Sequence, residues 1–554
     1  MRIDRRGTIA LIAVAVILAG GWLAYERYWY YIPTIIVAIT QPIVPNHPVV
    51  WPQGPNLPAL PVDKRPANVI LILADDLGFN DITVNGGGVA GGAVPTPNID
   101  SIARGGVMFT NGYAGNATCA PSRAAIMTGR YGTRFGFEFT PTPPKFEKFT
   151  SQPNPDRLHQ SIYYGQYEDF VPPMAQQSVP TSEITIAQMM RGRGYHTLFL
   201  GKWHLGQTDA TRPESRGFDD ALGFLGGGSA YLPEDDPNVV NSYQDFDPID
   251  KFVWSEIRYF VTFDRSPIFR PSRYMTDYLG DEAVKAIDAN TNRPFFMYWA
   301  PNAPHIPLQA LKSDYDALPQ IKDHRLRVYA AMIRALDRNV GKVLAALKKN
   351  GLDKNTLVIF TSDNGGAGYL GLPEINRPYR GWKMTFFEGG IHVPFFMRWS
   401  SVIPAGTTYS RPVGHVDIFA TAAAVAGSTL PSDRVMDGVN LLPYVAGKAA
   451  GSPHQDLYWR SGHYRTLLDG EWKLQVSDVN HKVWLFDLGT DPTERHNLAS
   501  VNLPELGAIQ AKLNEIDRQQ AKPLWPQLVD APVDIDHPLS VPETANDEYI
   551  YWGN

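Results

Sequence analysis

The sequence predicts an α/β protein built on a large, mainly parallel sheet flanked by helices, with a smaller domain beside it. Three observations carry this. Short apolar, β-rich runs alternate with helical stretches, the pattern of successive βα units. The 554 residues, 44% of them hydrophobic, suit one large core plus a smaller one. The unusual polar residues follow the apolar runs directly, at the strand ends where open α/β sheets bind ligands.

At the N-terminus, Arg2, Arg5 and Arg6 precede an uncharged apolar run over residues 7–25, and Trp22, Tyr28, Trp29, Tyr30 and Tyr31 lie near its far end. This is the pattern of a signal-anchor or signal peptide, and either one puts the body outside the cytoplasm, on the periplasmic or secretory-lumen side. Retention would tether the chain to a membrane through residues 7–25. Residues 26–66 carry Pro33, Pro42, Pro45, Pro48, Pro52, Pro55, Pro58 and Pro61 and read as an extended linker. The folded body is expected over 67–440, with a C-terminal subdomain and tail over 441–554.

Within the body, strands are expected at 68–74, 197–200, 294–300, 357–362 and 393–399. The clearest helix is 325–350, where Leu326, Tyr329, Ile333, Leu336, Val340, Val343 and Leu347 hold one apolar face and Gly351 stops it. Residues 137–180 and 226–247 read as insertions at the rim of a pocket, and 523–554 as a tail that wraps the body.

Asp75-Asp76 follows the first of these strands, Lys202 and His204 the second, His305 the third and Asp363-Asn364 the fourth. Taken singly, each has a bland reading: Asp-Asp as a turn or cap, Asp363-Asn364-Gly365-Gly366 as a tight turn, the lysines as surface residues, the histidines as structural ones. Four segments converging on one sheet edge change that. Asp75, Asp76, Asp363 and Asn364 form a hard-oxygen set that suits calcium, with magnesium as the alternative, better than zinc. A net charge of −6 with no long basic run excludes a nucleic-acid footprint and disfavours a broad stripe for long polyanions. Cys119 is the only cysteine, so there is no internal disulfide.

Cys119-Ala120-Pro121-Ser122-Arg123, followed by Thr128-Gly129-Arg130, resembles the signature of the type I, formylglycine-dependent sulfatases, arylsulfatase-like members of the alkaline phosphatase superfamily. Pro121 and Ser122 suit a helix start, whose N–H groups would face an anion at residue 119. The resemblance extends over most of residues 67–500. It includes the opening strand with Asp75-Asp76, Gly201-Lys202-Trp203-His204, Ala303-Pro304-His305, Ser362-Asp363-Asn364 and the loop bearing Lys383. It also takes in Leu485-Phe486-Asp487-Leu488 with Asp491, Glu494 and Asn497, which read as structural. His392 stands where many members have arginine.

The resemblance implies an alkaline phosphatase-like sheet with a smaller C-terminal α+β domain. It implies hydrolysis of a small or singly sulfated ester to an alcohol or phenol plus sulfate. Asp75, Asp76, Asp363 and Asn364 would hold the cation. Cys119, converted by a formylglycine-generating maturation enzyme, would attack sulfur as the aldehyde hydrate. Arg123 would stabilise that hydrate, Lys202, His305 and Lys383 would clamp sulfate or leaving-group oxygens, and His204 would take the proton that releases sulfate. The rival readings are a phosphate or phosphonate ester hydrolase of the same superfamily and a non-catalytic binder of sulfated ligands.

Overall fold

The computed structural model describes residues 5–155 and 157–554, with the side chains of residues 5–8 and 10–12 outside the described set. Among the described residues a nine-stranded sheet forms the centre. Its strands are β1 (Asn68–Ala74), β2 (Val107–Phe109), β3 (His196–Lys202), β4 (Asp220–Phe224), β5 (Thr262–Phe263), β6 (Phe295–Ala300), β7 (Thr356–Ser362), β8 (Phe395–Arg398) and β9 (Thr407–Tyr409). Their order is β9-β2-β8-β7-β1-β6-β3-β4-β5. The run β7-β1-β6-β3-β4 is parallel, and β8 and β5 flank it as antiparallel neighbours.

β1 shows why an apolar run such as 69–74 belongs at the centre of such a sheet: every residue of the strand is buried. Ile70 and Ile72 enter one core with helices α1 (Pro97–Arg104), α4 (Met275–Ala289) and α5 (His324–Lys349). Val69, Leu71 and Leu73 enter the opposite core with α2 (Cys119–Thr128), α3 (Ile186–Gly192) and α6 (Asp417–Val425). Asp323 caps α5, accepting from the Leu326 N–H at 2.8 Å, one residue ahead of the expected start. The helix that carries the cysteine motif also begins earlier than Pro121. α2 starts at Cys119 itself, after an extended Thr118 whose side chain makes no capping bond.

The second domain is an antiparallel meander, β10 (Asp456–Ser461), β11 (Tyr464–Asp469), β12 (Trp472–Ser477) and β13 (Lys482–Asp487). Helix α7 (Leu503–Arg518) packs Ile509 and Leu513 against it. Trp459, Tyr464, Trp484 and Phe486 from the meander share a core with Phe386, Phe387 and Ile391 of the large domain. The tail does wrap: Val529–Asp534 pairs with both Tyr549–Gly553 and Ile162–Tyr163, the last from the segment 137–180.

One N-terminal expectation needs correction and another gains no support. Residues 26–66 are not a free tether. Ile32–Thr40 is helical, and Trp51, buried, donates from its indole N–H to Glu282 at 2.9 Å. The stretch expected to anchor the chain, residues 7–25, lies within the helix Arg5–Tyr28, and Arg2 and part of this stretch fall outside the described residues. Among the described residues no helix is long and apolar enough to cross a membrane, so the structure lends the anchor no support.

Candidate active site

The reversal of strand order around β1 opens a crevice at the carboxyl edge of the sheet, and the expected polar residues meet there. Asp75 and Asp76 leave β1, Asp363 and Asn364 leave β7, Lys202 ends β3 and His305 follows β6. Register explains the meeting: Ala74 pairs with Ser362, and Gly201 with Ala300. A β-carbon at Gly201 would lie 2.0 Å from the Ala300 carbonyl oxygen, so only glycine allows β3 and β6 to approach beside Lys202.

Asp75 is gripped by Lys202, whose Nζ donates to Oδ1 at 2.9 Å and to Oδ2 at 2.8 Å. Arg123, fully buried on α2, donates from Nε to Asp363 Oδ2 at 2.9 Å and from Nη1 to the Lys202 carbonyl at 2.9 Å and the Tyr298 hydroxyl at 3.3 Å. Asp363 Oδ1 accepts the Asp76 N–H at 3.1 Å. Asn364 donates from Nδ2 to Asp76 Oδ1 at 2.8 Å. Its Oδ1 is buried and has no hydrogen-bond partner among the described residues. Such an orphan oxygen among carboxylates is what a hard cation would satisfy. Ligand atoms of Asp75, Asp76, Cys119 and His305 all lie within 4.8 Å of one another, so this grouping draws in Cys119 and a histidine rather than the Asp363 carboxylate, which faces Arg123.

Cys119 Sγ lies 3.9 Å from Asp76 Oδ1 and 3.2 Å from Lys383 Nζ. Burial pushes the thiol up, but Lys202 and Lys383 outweigh it and bring it down to about 7. Burial likewise opposes ionisation of Asp76, yet Lys383, His305 and Lys202 hold it below the usual carboxylate range. His305 donates from Nδ1 to the Ile306 carbonyl at 2.7 Å, which leaves Nε2 facing Asp76 Oδ2 at 3.7 Å.

His204 is held neutral. Burial, then Lys202, Arg123 and Lys383, drive it well below its ordinary value, and its Nδ1 has no hydrogen-bond partner among the described residues. Asp76 and His204 both adopt left-handed backbone conformations, with φ of 59° and 60°. These cost about 1–2 kcal/mol each relative to ordinary conformations and aim the two side chains into the crevice.

Sequence reasoning missed three participants. The Tyr298 hydroxyl accepts from Arg123. His415 joins Ser122 on α2 (Nδ1 to Oγ, 3.0 Å) to Thr361 on β7 (Nε2 to Oγ1, 3.0 Å). The Tyr369 hydroxyl donates to Asp76 Oδ2 at 3.0 Å. Of these only Tyr369 had a local signal, its place in the glycine-rich loop after Asp363-Asn364. His392, the departure from arginine, pairs with Glu388 at 2.7 Å and bonds the Thr110 carbonyl at 2.7 Å, outside the crevice. A separate cleft of about 620 Å³, lined by Glu138, Tyr164, Tyr167, Arg460, His463 and Gln527 among others, contains none of the expected site residues.

Comparison with known proteins agrees with this geometry. The sulfatase family model matches residues 67–428, and a model of the N-sulphoglucosamine sulphohydrolase C-terminal region matches 380–522. N-acetylgalactosamine-6-sulfatase of Homo sapiens is 32% identical over 502 residues, covering 84% of this chain and 88% of the relative. The crystal structure of Ps i-CgsB in complex with k-i-k-neocarrahexaose superposes with a TM-score of 0.69 at 32% identity, over 83% of this chain and 95% of that one. The phosphonate monoester hydrolase of Agrobacterium radiobacter has a TM-score of 0.56 at 19% identity, over 82% of this chain and 96% of that one, and shares the fold alone. With the family model spanning most of the chain and the acid, base and cation groups gathered at one sheet edge, the protein belongs to the sulfatase family and is a sulfuric ester hydrolase.

Proposed function

We propose that Cys119 is oxidised to formylglycine by a separate maturation enzyme and that the chain hydrolyses a sulfated sugar beside a divalent cation. The observation that carries this reading is the 3.2 Å approach of Lys383 Nζ to Cys119 Sγ at the start of α2. It sets a cation and the N–H groups of a helix end around one reacting position. Once formed, the aldehyde hydrate would supply one hydroxyl for attack on sulfur and a second whose deprotonation would release sulfate.

Asp75, Asp76, Asp363 and Asn364 would hold the cation, and the unpartnered Asn364 Oδ1 supports that fit. All four offer oxygen, so calcium is the ion of choice and magnesium the alternative. Such an ion polarises and positions a sulfate oxygen when bound. Arg123 orients Asp363 and the residue at 119. Lys202, His305 and Lys383 bind sulfate or leaving-group oxygens as negative charge grows there. His204, held neutral, accepts the hydrate proton. A sulfated carbohydrate is favoured as substrate by the names of the sugar sulfatase and the neocarrahexaose complex among the relatives. The arginine-flanked N-terminus supports an extracytoplasmic body. We divide the chain into a catalytic unit over 67–440 and a C-terminal unit from 441.

Mass spectrometry of the active protein tests the central step. The tryptic peptide ending at Arg123 should be lighter by about 18 Da than its cysteine form. An intact, alkylatable thiol in fully active preparations would sink the mechanism. Parallel kinetics on sulfate and phosphate monoesters of one alcohol should show preference for sulfate.

A further inference from the structure

We propose that Tyr369 is a positioning residue that fixes the Lys383 ammonium at residue 119, so that the N–H now on the Cys119 sulfur is free for the leaving-group oxygen once that sulfur is replaced by the aldehyde; this rests on the sulfate-ester reading above. A lysine ammonium has three hydrogens and no acceptor. Lys383 Nζ has three partners: Asp76 Oδ2 at 2.8 Å, Cys119 Sγ at 3.2 Å and the Tyr369 hydroxyl at 3.1 Å. The phenol oxygen therefore accepts from Lys383 and directs its own hydrogen to Asp76 Oδ2 at 3.0 Å. Asp76, Lys383 and Tyr369 form a closed ring of hydrogen bonds in which the ammonium has one orientation. Without the phenol, one buried N–H of Lys383 loses its partner and the long side chain regains freedom.

The tyrosine is itself held from several sides. Its turn, Gly368–Leu370, lies against Trp382, the residue before Lys383; a β-carbon at Gly368 would stand 3.0 Å from the indole Cγ. Leu370 is buried in the large core. The Leu539 N–H from the tail donates to the Gly368 carbonyl at 3.0 Å, and the Lys383 N–H to the Gly366 carbonyl at 3.1 Å. The loop that follows Asn364 and the loop that carries Lys383 are thus fastened together, with Tyr369 as the side chain that closes the join over the reacting position. As the sulfur–oxygen bond breaks, its electron pair stays on the departing oxygen. A pre-oriented cation stabilises that charge without reorganising.

This role differs from generic packing in how the loss depends on the leaving group. Tyr369→Phe removes one oxygen, and kcat/KM of the matured, calcium-loaded enzyme is measured over aryl sulfates of graded leaving-group acidity. The expected result is a loss of about tenfold for the least acidic phenols that shrinks toward wild type for the most acidic. Adding Tyr369→Phe to Lys383→Ala should cost less than about twofold more, because both act through one group. A uniform loss across the series, or full additivity with Lys383→Ala, overturns the proposal. Should Tyr369→Phe not fold, Tyr369→His is read by the same two criteria. Failure of the wild-type enzyme on every sulfate ester would sink the sulfate-ester reading, and this inference with it.

Discussion

Arg123 and Asp363 lie 240 residues apart in the chain and meet as a fully buried ion pair, with Nε and Nη2 at 2.9 and 2.8 Å from the same carboxylate oxygen. Arg123 Nη2 also lies 3.5 Å from Asp75 Oδ1. One guanidinium thus ties the helix that begins at Cys119 to both carboxylate-bearing strand ends.

Removing that guanidinium leaves two buried carboxylates short of a partner. Arg123→Ala should lower unfolding free energy by about 3–5 kcal/mol as well as abolish turnover. Arg123→Lys should recover part of the stability and little activity, since an ammonium cannot reproduce the fork. Urea denaturation beside initial rates checks both; an equally stable Arg123→Ala protein would contradict the buried-pair argument.

The orphan oxygen of Asn364 yields a metal test that does not depend on turnover. Calcium should raise the melting temperature of the wild-type protein, as any ligand of the native state does. Asn364→Leu removes the oxygen and should shrink that calcium-induced rise and the bound calcium measured by elemental analysis. An unchanged response would place the cation elsewhere.

His415 offers a pH prediction. Burial, then the charge on Arg123, lower its pKa to about 3, against an unfolded value of about 6.5. The unfolded chain therefore binds the proton first, and stability from the neutral ring is complete above about pH 6.5 and lost as pH falls toward 3. His415→Gln should weaken the dependence of unfolding free energy on pH in that window, by at most about 1.4 kcal/mol per pH unit. Parallel denaturation series from pH 4 to 7 give the two slopes, and identical slopes would refute the assignment.

The junction between domains is charged and buried. Lys473 on β12 reaches Glu388 at 2.7 Å and Glu494 at 3.0 Å, and Glu388 begins the turn after the Lys383 loop. Lys473→Met should destabilise the protein by about 3 kcal/mol or more, because two carboxylates are then buried without their cation. Because Phe386 and Phe387 share a core with the meander, it should also lower kcat. Full activity and stability in this variant would show that the junction does not support the lysine loop.

Much of the fold was legible because it depends on short-range patterns. The run 69–74 is apolar without alternation, as a strand covered on both faces must be, and the 325–350 face repeats at helical spacing. The acids and bases at four strand ends stood out for the same reason, since polar residues placed directly after a strand sit at its carboxyl edge, whereas Cys119 and Arg123, on a helix, stood out by their motif.

The sequence by itself determined which segments would form the central strands and the long helix, and which polar residues would gather at one sheet edge. Tertiary structure alone decided the partners. It gave Arg123 to Asp363 and Lys202 to Asp75, brought His415 between α2 and β7, set Tyr369 on Lys383, and docked Trp51 on Glu282 within a stretch that reads as linker. The reason is physical. Element type follows from propensity and periodicity over a few neighbouring residues, whereas a contact between residues hundreds of positions apart depends on strand order and register. Those are set by the packing of whole faces, and they leave no periodic mark at the residues that end up touching.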